Sequence, residues 1–296
     1  MMEVMDLSHD PVGGAERTAA DPHPDHINIR GHRLVLADLV DHRLFDADHL
    51  AGLRDQFNAA QPYPHLVVSD WFNPKLLELA QEEFDLYARS ELRQVHTKRE
   101  STFRSQAVEF GPACTLYFSI VNAGWFVNLL SEVTGVAALV PDPGMHGGGL
   151  HETRAGGRFQ IHRDFDRHPR TGLFNEMVLL TYLNKAWDPS WEGALELWDA
   201  KLTRCITTIQ PEFGRTVIMR NGPLNFHGHV AALKPPPGRT RRSLGAYYYS
   251  NRLPVTEQGH RPTVFLMNDR VDRLKLLLKD LVPPLLWQAI KRITDR

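Results

Sequence analysis

The sequence predicts a mainly β protein with flanking helices, an α+β chain built around a β-sandwich or barrel. Three observations carry that expectation. Between residues 141 and 252, short runs rich in Val, Ile, Leu, Thr and Tyr are separated by Gly, Pro, Asn and Asp clusters, the pattern of strands joined by turns. On either side of that stretch the apolar residues recur at spacings of three and four, the period of helices. The length of 296 residues, with no internal repeat, fits a single such domain carrying helical additions.

Composition narrows the class further. The chain is 42% hydrophobic and 23% charged, an ordinary globular mixture able to bury a sizeable core. A formal net charge of −1 argues against a general nucleic-acid binder, which is normally basic. Cys114 and Cys205 are too few for a disulfide framework, and their apolar, strand-like surroundings predict two buried free thiols in a reducing compartment. No apolar run approaches the ~20 residues of a membrane span. The N-terminus lacks the basic start and apolar middle of a secretion signal. A cytoplasmic protein with no membrane or nucleic-acid partner is expected.

In chain order, residues 1–28 read as a flexible acidic tail, and residues 29–296 as one domain in three parts. Residues 29–140 form a helical and strand support. A short strand is expected at 33–36 and a helix at 46–60, with Leu50, Leu53 and Phe57 on one face. A buried strand follows at 63–68, and Asn73-Pro74 opens a second helix, Asn as cap and Pro at its first position. Strands are expected at 102–110 and 115–121, then a helix at 125–133 closed by Gly135. Residues 141–252 form the β core, with strands at 177–183, 193–198, 215–219 and 244–250. Residues 253–296 return to helix. Val271, Leu274, Leu277, Leu278 and Leu281 make an apolar face broken by Pro283-Pro284, which packs on the β core or joins two copies, giving a monomer or a homodimer.

The chemistry concentrates in Phe159-Gln160-Ile161-His162-Arg163-Asp164-Phe165. As a strand, this puts His162 and Asp164 on one face and Ile161 and Phe165 on the other. On its own, so short a pattern is more often a surface pair on an edge strand. Further along, Asn225-Phe226-His227-Gly228-His229 offers a third ligand, from His227 or His229. Two His and one carboxylate with an open side is the ligand set of non-heme Fe(II) oxygenases. A second feature is Arg239-Thr240-Arg241-Arg242, leading into the last core strand. Arg242 shares a face with Leu244, Ala246 and Tyr248; if that apolar set lines the barrel, Arg242 points inward and needs an anionic partner such as a carboxylate. Arg239 and Arg241 are then assigned to a solvated turn.

Taken together, Gly156-Gly157 with His162 and Asp164, Thr181-Tyr182-Leu183-Asn184-Lys185 with Trp187, Gly193-Ala194-Leu195-Glu196-Leu197, His227, and Arg242-Ser243-Leu244 resemble the prolyl-hydroxylase-type Fe(II)/2-oxoglutarate-dependent oxygenases. The resemblance spans roughly residues 145–252. It implies a double-stranded β-helix, or jelly roll, in which His162, Asp164 and His227 hold Fe(II). It also implies 2-oxoglutarate and O2 as cosubstrates, with ascorbate as candidate reductant. Arg242 would bind the distal carboxylate of 2-oxoglutarate, and Thr181 stands where the family often has a Tyr contacting the same group. His227 is favoured over His229 because the family ligand is often followed by Gly.

With Asp164 as a ligand, hydroxylation is expected rather than halogenation. The expected substrate is a small polar metabolite in a biosynthetic tailoring step. Residues 166–172 would act as a lid, Trp187 and Trp191 would border the mouth, and Glu152, Asp166 and Glu176 would supply charge. The alternatives are a hydroxylase of peptidyl or free proline, a zinc hydrolase on the same ligands, and a non-catalytic jelly-roll binding module.

Overall fold

In the computed structural model, residues 25–86, 93–96, 101–105, 110–251 and 264–265 are described. Of the expected acidic tail (1–28), residues 1–24 lie outside the described residues and 26–28 belong to a strand instead; of the expected C-terminal helices (253–296), only 264–265 are described, and they form a short strand.

A hairpin of β1 (His26–Ile29) and β2 (His32–Val35) opens the fold. Helix α1 (Ala47–Ala59) is capped by the Asp46 carboxylate, which accepts the His49 N–H at 2.7 Å, and it buries Leu50, Leu53 and Phe57. After β3 (His65–Val68), the Asn73 side-chain oxygen accepts the Lys75 and Leu76 amides and starts α2 (Pro74–Leu86). Strands β4 (Arg93–His96) and β5 (Ser101–Ser105) pair antiparallel. Residues 115–121, expected as a strand, lie instead in α3 (Pro112–Val121). Its Gly111-Pro112 start is a helix-opening signal, and its apolar, β-branched composition reflects burial among other helices rather than extended pairing. Helix α4 (Gly124–Thr134) ends at Gly135, whose φ of 69° is the left-handed C-cap conformation.

The β core follows: β6 (Val140–Pro141), β7 (Gly149–Thr153), β8 (Phe159–Arg163), β9 (Phe174–Tyr182), β10 (Leu195–Trp198), β11 (Cys205–Ile209), β12 (Thr216–Arg220), β13 (Phe226–His229), β14 (Arg241–Ser250) and β15 (Val264–Phe265). The strands form two antiparallel sheets. The larger runs β3-β12-β9-β14-β7-β5-β4, with β6 on β14, and the smaller runs β11-β10-β13-β8-β15. Two facing antiparallel sheets are the sandwich the strand pattern predicts and the jelly-roll layout the family resemblance implies.

The larger sheet is covered on both faces, which explains why β9 is apolar at nearly every position. Met177 and Leu179 of β9, with Leu244, Ala246 and Tyr248 of β14, pack on the helices through Phe72, Leu76, Phe84, Tyr117 and Phe126. On the other side, Val178 and Tyr182 meet Leu195 and Leu197 of the smaller sheet, with Tyr63, Val217 and Met219. The interior between the sheets is therefore bounded by the alternate residues of β9 and β14.

Cys114 is buried on α3, whereas Cys205 sits half-buried on β11, so the expected pair of buried strand thiols reduces to one buried thiol on a helix. No single helix among the described residues is long and apolar enough to cross a membrane.

One buried carboxylate ties the helical layer together. Glu83 on α2, only 1% exposed, accepts the Ala113 and Cys114 amides at the α3 N-terminus at 2.7 and 2.8 Å, and pairs with Arg30 at 3.0 Å. Gly111 is required beside it, because a Cβ there would lie 2.3 Å from the Glu83 carboxylate carbon. Glu83→Ala leaves Arg30 and two buried amides without their acceptor. It is expected to cost about 2–4 kcal/mol, read as a fall in Tm of roughly 5–15 °C by thermal unfolding.

Candidate metal centre

Strand β8 supplies the first two groups and β13 the third. The two strands pair antiparallel with His227 directly opposite His162, so their imidazoles lie side by side, ring centroids 4.4 Å apart. The pairing slips by a residue between His227 and His229, and Gly228 permits the close approach. A Cβ at Gly228 would lie 2.7 Å from the Phe159 carbonyl oxygen and 2.8 Å from that of Gln160. Asp164 follows β8 and completes the group: one ligand atom from each of His162, Asp164 and His227 lies within 4.8 Å of the others, and all three side chains are buried.

The orientations suit ligation. His162 Nδ1 bonds the Gln160 carbonyl at 2.8 Å, which fixes the ring with Nε2 turned to the centre, 3.4 Å from Asp164 Oδ1. The Asn225 backbone holds the His227 ring, whose Nε2 lies 3.8 Å from Asp164 Oδ2. Burial, with His162 beside it, pushes the His227 pKa down to about 4, so its imidazole is neutral and available as a ligand at physiological pH. Tyr247 Oη on β14 donates to Asp164 Oδ2 at 3.2 Å and fixes the carboxylate. Two imidazoles and one carboxylate, buried and convergent, fit Fe(II).

The structure does not bring Arg242 to this centre. Its guanidinium grips Asp85 of α2 with two hydrogen bonds of 2.9 and 2.8 Å, contacts Glu152 at 3.1 Å, and lies over the Phe84 ring. Thr181 likewise faces the helices, bonded to Tyr117 Oη at 2.7 Å and Thr216 Oγ1 at 2.9 Å. The physical reason is that the apolar set of β14 covers the helical layer, while the interior face is the more polar one. The neighbours of these two residues occupy the interior instead. Arg241 is 7% exposed, donates through Nε to the Gly193 carbonyl at 2.7 Å and through Nη2 to Tyr182 Oη at 3.2 Å, and stacks over the Tyr182 ring. No carboxylate pairs with Arg241 among the described residues. A tyrosine and an arginine sharing one face of adjacent strands was the signal available in the sequence.

His229 is not one of the convergent three. Its ring is buried, and that burial pushes its pKa well below the ordinary histidine value. His151 rests over Gly245 and bonds the Gly147 carbonyl, and His146 packs on Phe165 and His168. Residues 166–172 form a pinned turn rather than a loose cover. His168 Nδ1 accepts the Arg170 and Thr171 amides, and its Nε2 lies 3.3 Å from Asp142. Trp187 and Trp191 stack edge to face at the opposite end of β9, about 27 Å along a nine-residue strand, so they do not border the same opening as that turn. Glu152 is spent on Arg242, whereas Glu176 pairs with Arg220 near the turn.

Residues 148–249 match the 2OG-Fe(II) oxygenase superfamily. No curated protein matches the chain in sequence. Among solved structures, a prolyl hydroxylase from Trichoplax adhaerens, in complex with a hypoxia-inducible-factor oxygen degradation domain peptide fragment, is similar at a TM-score of 0.50 and 16% identity, covering 70% of this chain and 93% of that one. A prolyl-4-hydroxylase from Pseudomonas putida gives 0.49 and 18%, covering 69% and 100%. The Trichoplax likeness extends the jelly-roll fold beyond the matched segment.

Proposed function

The chain belongs to the 2OG-Fe(II) oxygenase superfamily through residues 148–249, and we propose that it hydroxylates a C–H bond of a small polar metabolite, with His162, Asp164 and His227 as the iron ligands. It is a dioxygenase that uses Fe(II), 2-oxoglutarate and O2. Bound at the three ligands, Fe(II) supplies the oxidative decarboxylation of 2-oxoglutarate to succinate and CO2 that is coupled to oxidation of the substrate.

The single observation that carries the assignment of roles is Arg241. A buried guanidinium without an acidic partner among the described residues, in the same interior as three convergent ligands, is a receptor for an incoming carboxylate. Arg241 and Tyr182 would take the distal carboxylate of 2-oxoglutarate. Leu195 and Leu197 supply an apolar wall beside its chain and keep water out. The Gln160 carbonyl fixes the His162 ring through Nδ1, and Tyr247 holds Asp164.

The preference for a small substrate rests on the edge of the smaller sheet. Strand β15 pairs with β8, Val264 opposite Arg163 and Phe265 opposite His162, so the edge beside the metal ligands is already taken by the chain itself. An extended peptide cannot add there as a further strand. Beside Asp164, Phe165 packs against Tyr247 and Tyr249, and Arg220 pairs with the buried Glu176. We place the enzyme in the cytoplasm, in a biosynthetic tailoring step.

The test is competition. The iron-loaded enzyme is given a panel of polar metabolites and a panel of proline-containing peptides. Succinate release and a mass gain of one oxygen are followed. Turnover of a metabolite is expected; robust turnover confined to peptides would replace this reading with that of a peptidyl prolyl hydroxylase.

A further inference from the structure

Leu195 and Leu197 of β10 are buried against the larger sheet, so Glu196 between them points to the outer face of the smaller one. Its register partners are Gly228 on β13 and Thr208 on β11, whereas His227 stands opposite Leu197 and shares its inner face. A cavity of about 230 Å³ lies beside Glu196, walled by Glu192, Cys205, Thr208, Gln210 and His229. The pairing of β13 with β8 slips between His227 and His229, and His229, the last residue of its strand, belongs to this wall rather than to the iron ligands. Two wall residues carry buried polar atoms with no hydrogen-bond partner among the described residues, Gln210 Oε1 and His229 Nδ1. His229 is only 4% exposed, and a polar atom taken from water without a replacement partner destabilises the fold unless a ligand completes it. The carboxylates are only partly used. Glu196 Oε2 accepts the Trp198 indole N–H at 2.9 Å, and the exposed Lys234 approaches Glu192 at 3.5 Å.

This wall accepts hydrogen bonds. Carboxylates and an amide oxygen only accept, and a neutral imidazole keeps one accepting nitrogen. Two carboxylates line the cavity and, among the described residues, no lysine or arginine does, so the wall suits a ligand that brings both donors and positive charge. A metal ion fits less well, because among the described residues only His162, Asp164 and His227 converge within 4.8 Å. We propose that this cavity binds the primary ammonium group of a small organic cation, its N–H groups taken by the Glu196 carboxylate, Gln210 Oε1 and His229 Nδ1. Glu192 adds a second carboxylate to balance the charge. Glu196 and Thr208 put the site on the sheet face opposite His227, so a cation there neither ligates iron nor displaces 2-oxoglutarate.

Cys205 supplies a local readout, since its half-buried thiol lines the cavity while Cys114 is buried in the helical layer. Alkylation of each thiol in the anaerobic, Fe(II)-loaded enzyme is followed by peptide mass spectrometry with n-butylammonium, n-butanol or butyrate present. n-Butylammonium should slow the labelling of Cys205 saturably and leave Cys114 unchanged, whereas n-butanol and butyrate at equal concentration should do neither. Glu196→Gln and Gln210→Leu should each weaken that protection roughly 10- to 100-fold, the range for losing a hydrogen bond to a charged group, with iron content and 2-oxoglutarate affinity unchanged. Cys205 labelling that is indifferent to n-butylammonium overturns the inference and leaves the orphaned atoms to water. Equal protection by n-butanol overturns it too, since the cavity would then read the alkyl chain and not the charge. Protection that survives both substitutions, or vanishes on adding 2-oxoglutarate, also overturns it, because the cation would then sit elsewhere. Should neither variant fold, the contrast among the three probes on the wild type decides alone.

Discussion

Alanine at His162, Asp164 or His227 abolishes both iron retention and substrate-dependent succinate release, whereas His229→Val keeps its iron. The expectation follows from geometry. Only the first three converge within 4.8 Å, and two of them are pre-set by backbone contacts, His162 through the Gln160 carbonyl and His227 through Asn225. Losing a supporting contact to a ligand costs roughly 10–100-fold in metal affinity, and losing a ligand costs at least that. Removing a carboxylate also removes the charge that balances the ion, so Asp164→Ala should be the most damaging of the three. Iron content after dialysis against a chelator, with an unfolding curve for each variant, checks the result. Full iron retention by any of the three variants would remove that residue from the ligand set. Loss of iron on His229→Val alone would mean that the slip between β8 and β13 brings the wrong histidine forward.

Part of this was legible in the sequence because the strand expected around His162 forms. Strand β8 covers residues 159–163 and pairs His162 directly opposite His227. Gly228, which the family resemblance uses to choose His227, has a steric reason here: two carbonyl oxygens of β8 occupy the space of its Cβ. What was not legible is which face of β9 and β14 looks inward. Both faces are buried, so parity alone gives two equal solutions, and the more apolar face is a poor guide when a helical layer competes for it. That ambiguity turns Arg241 into Arg242 and Tyr182 into Thr181. A similar competition hides α3, where residues that favour strands are recruited into a helix starting at Pro112 and capped by Glu83, 30 residues away in sequence.

The two arginines give the sharpest separation of roles, because adjacent residues on one strand are predicted to fail in different ways. Arg241→Ala removes a cation and leaves Tyr182 Oη and the Gly193 carbonyl without their donor. It should weaken 2-oxoglutarate by about 2–5 kcal/mol, some 30-fold to several thousand-fold, while Fe(II) affinity holds. Arg242→Ala should do the converse. It breaks the bidentate contact to Asp85 and strips Glu152, 2% exposed, of its main cationic partner, loosening α2 from β14. A cost of about 3 kcal/mol in stability is expected, with 2-oxoglutarate affinity unchanged in the folded fraction. Binding isotherms and unfolding curves on the same two preparations separate the outcomes. If Arg242→Ala lost the cosubstrate and Arg241→Ala did not, the interior would be lined by the opposite face of β14, and the roles of Tyr182 and Tyr247 would have to be reassigned with it.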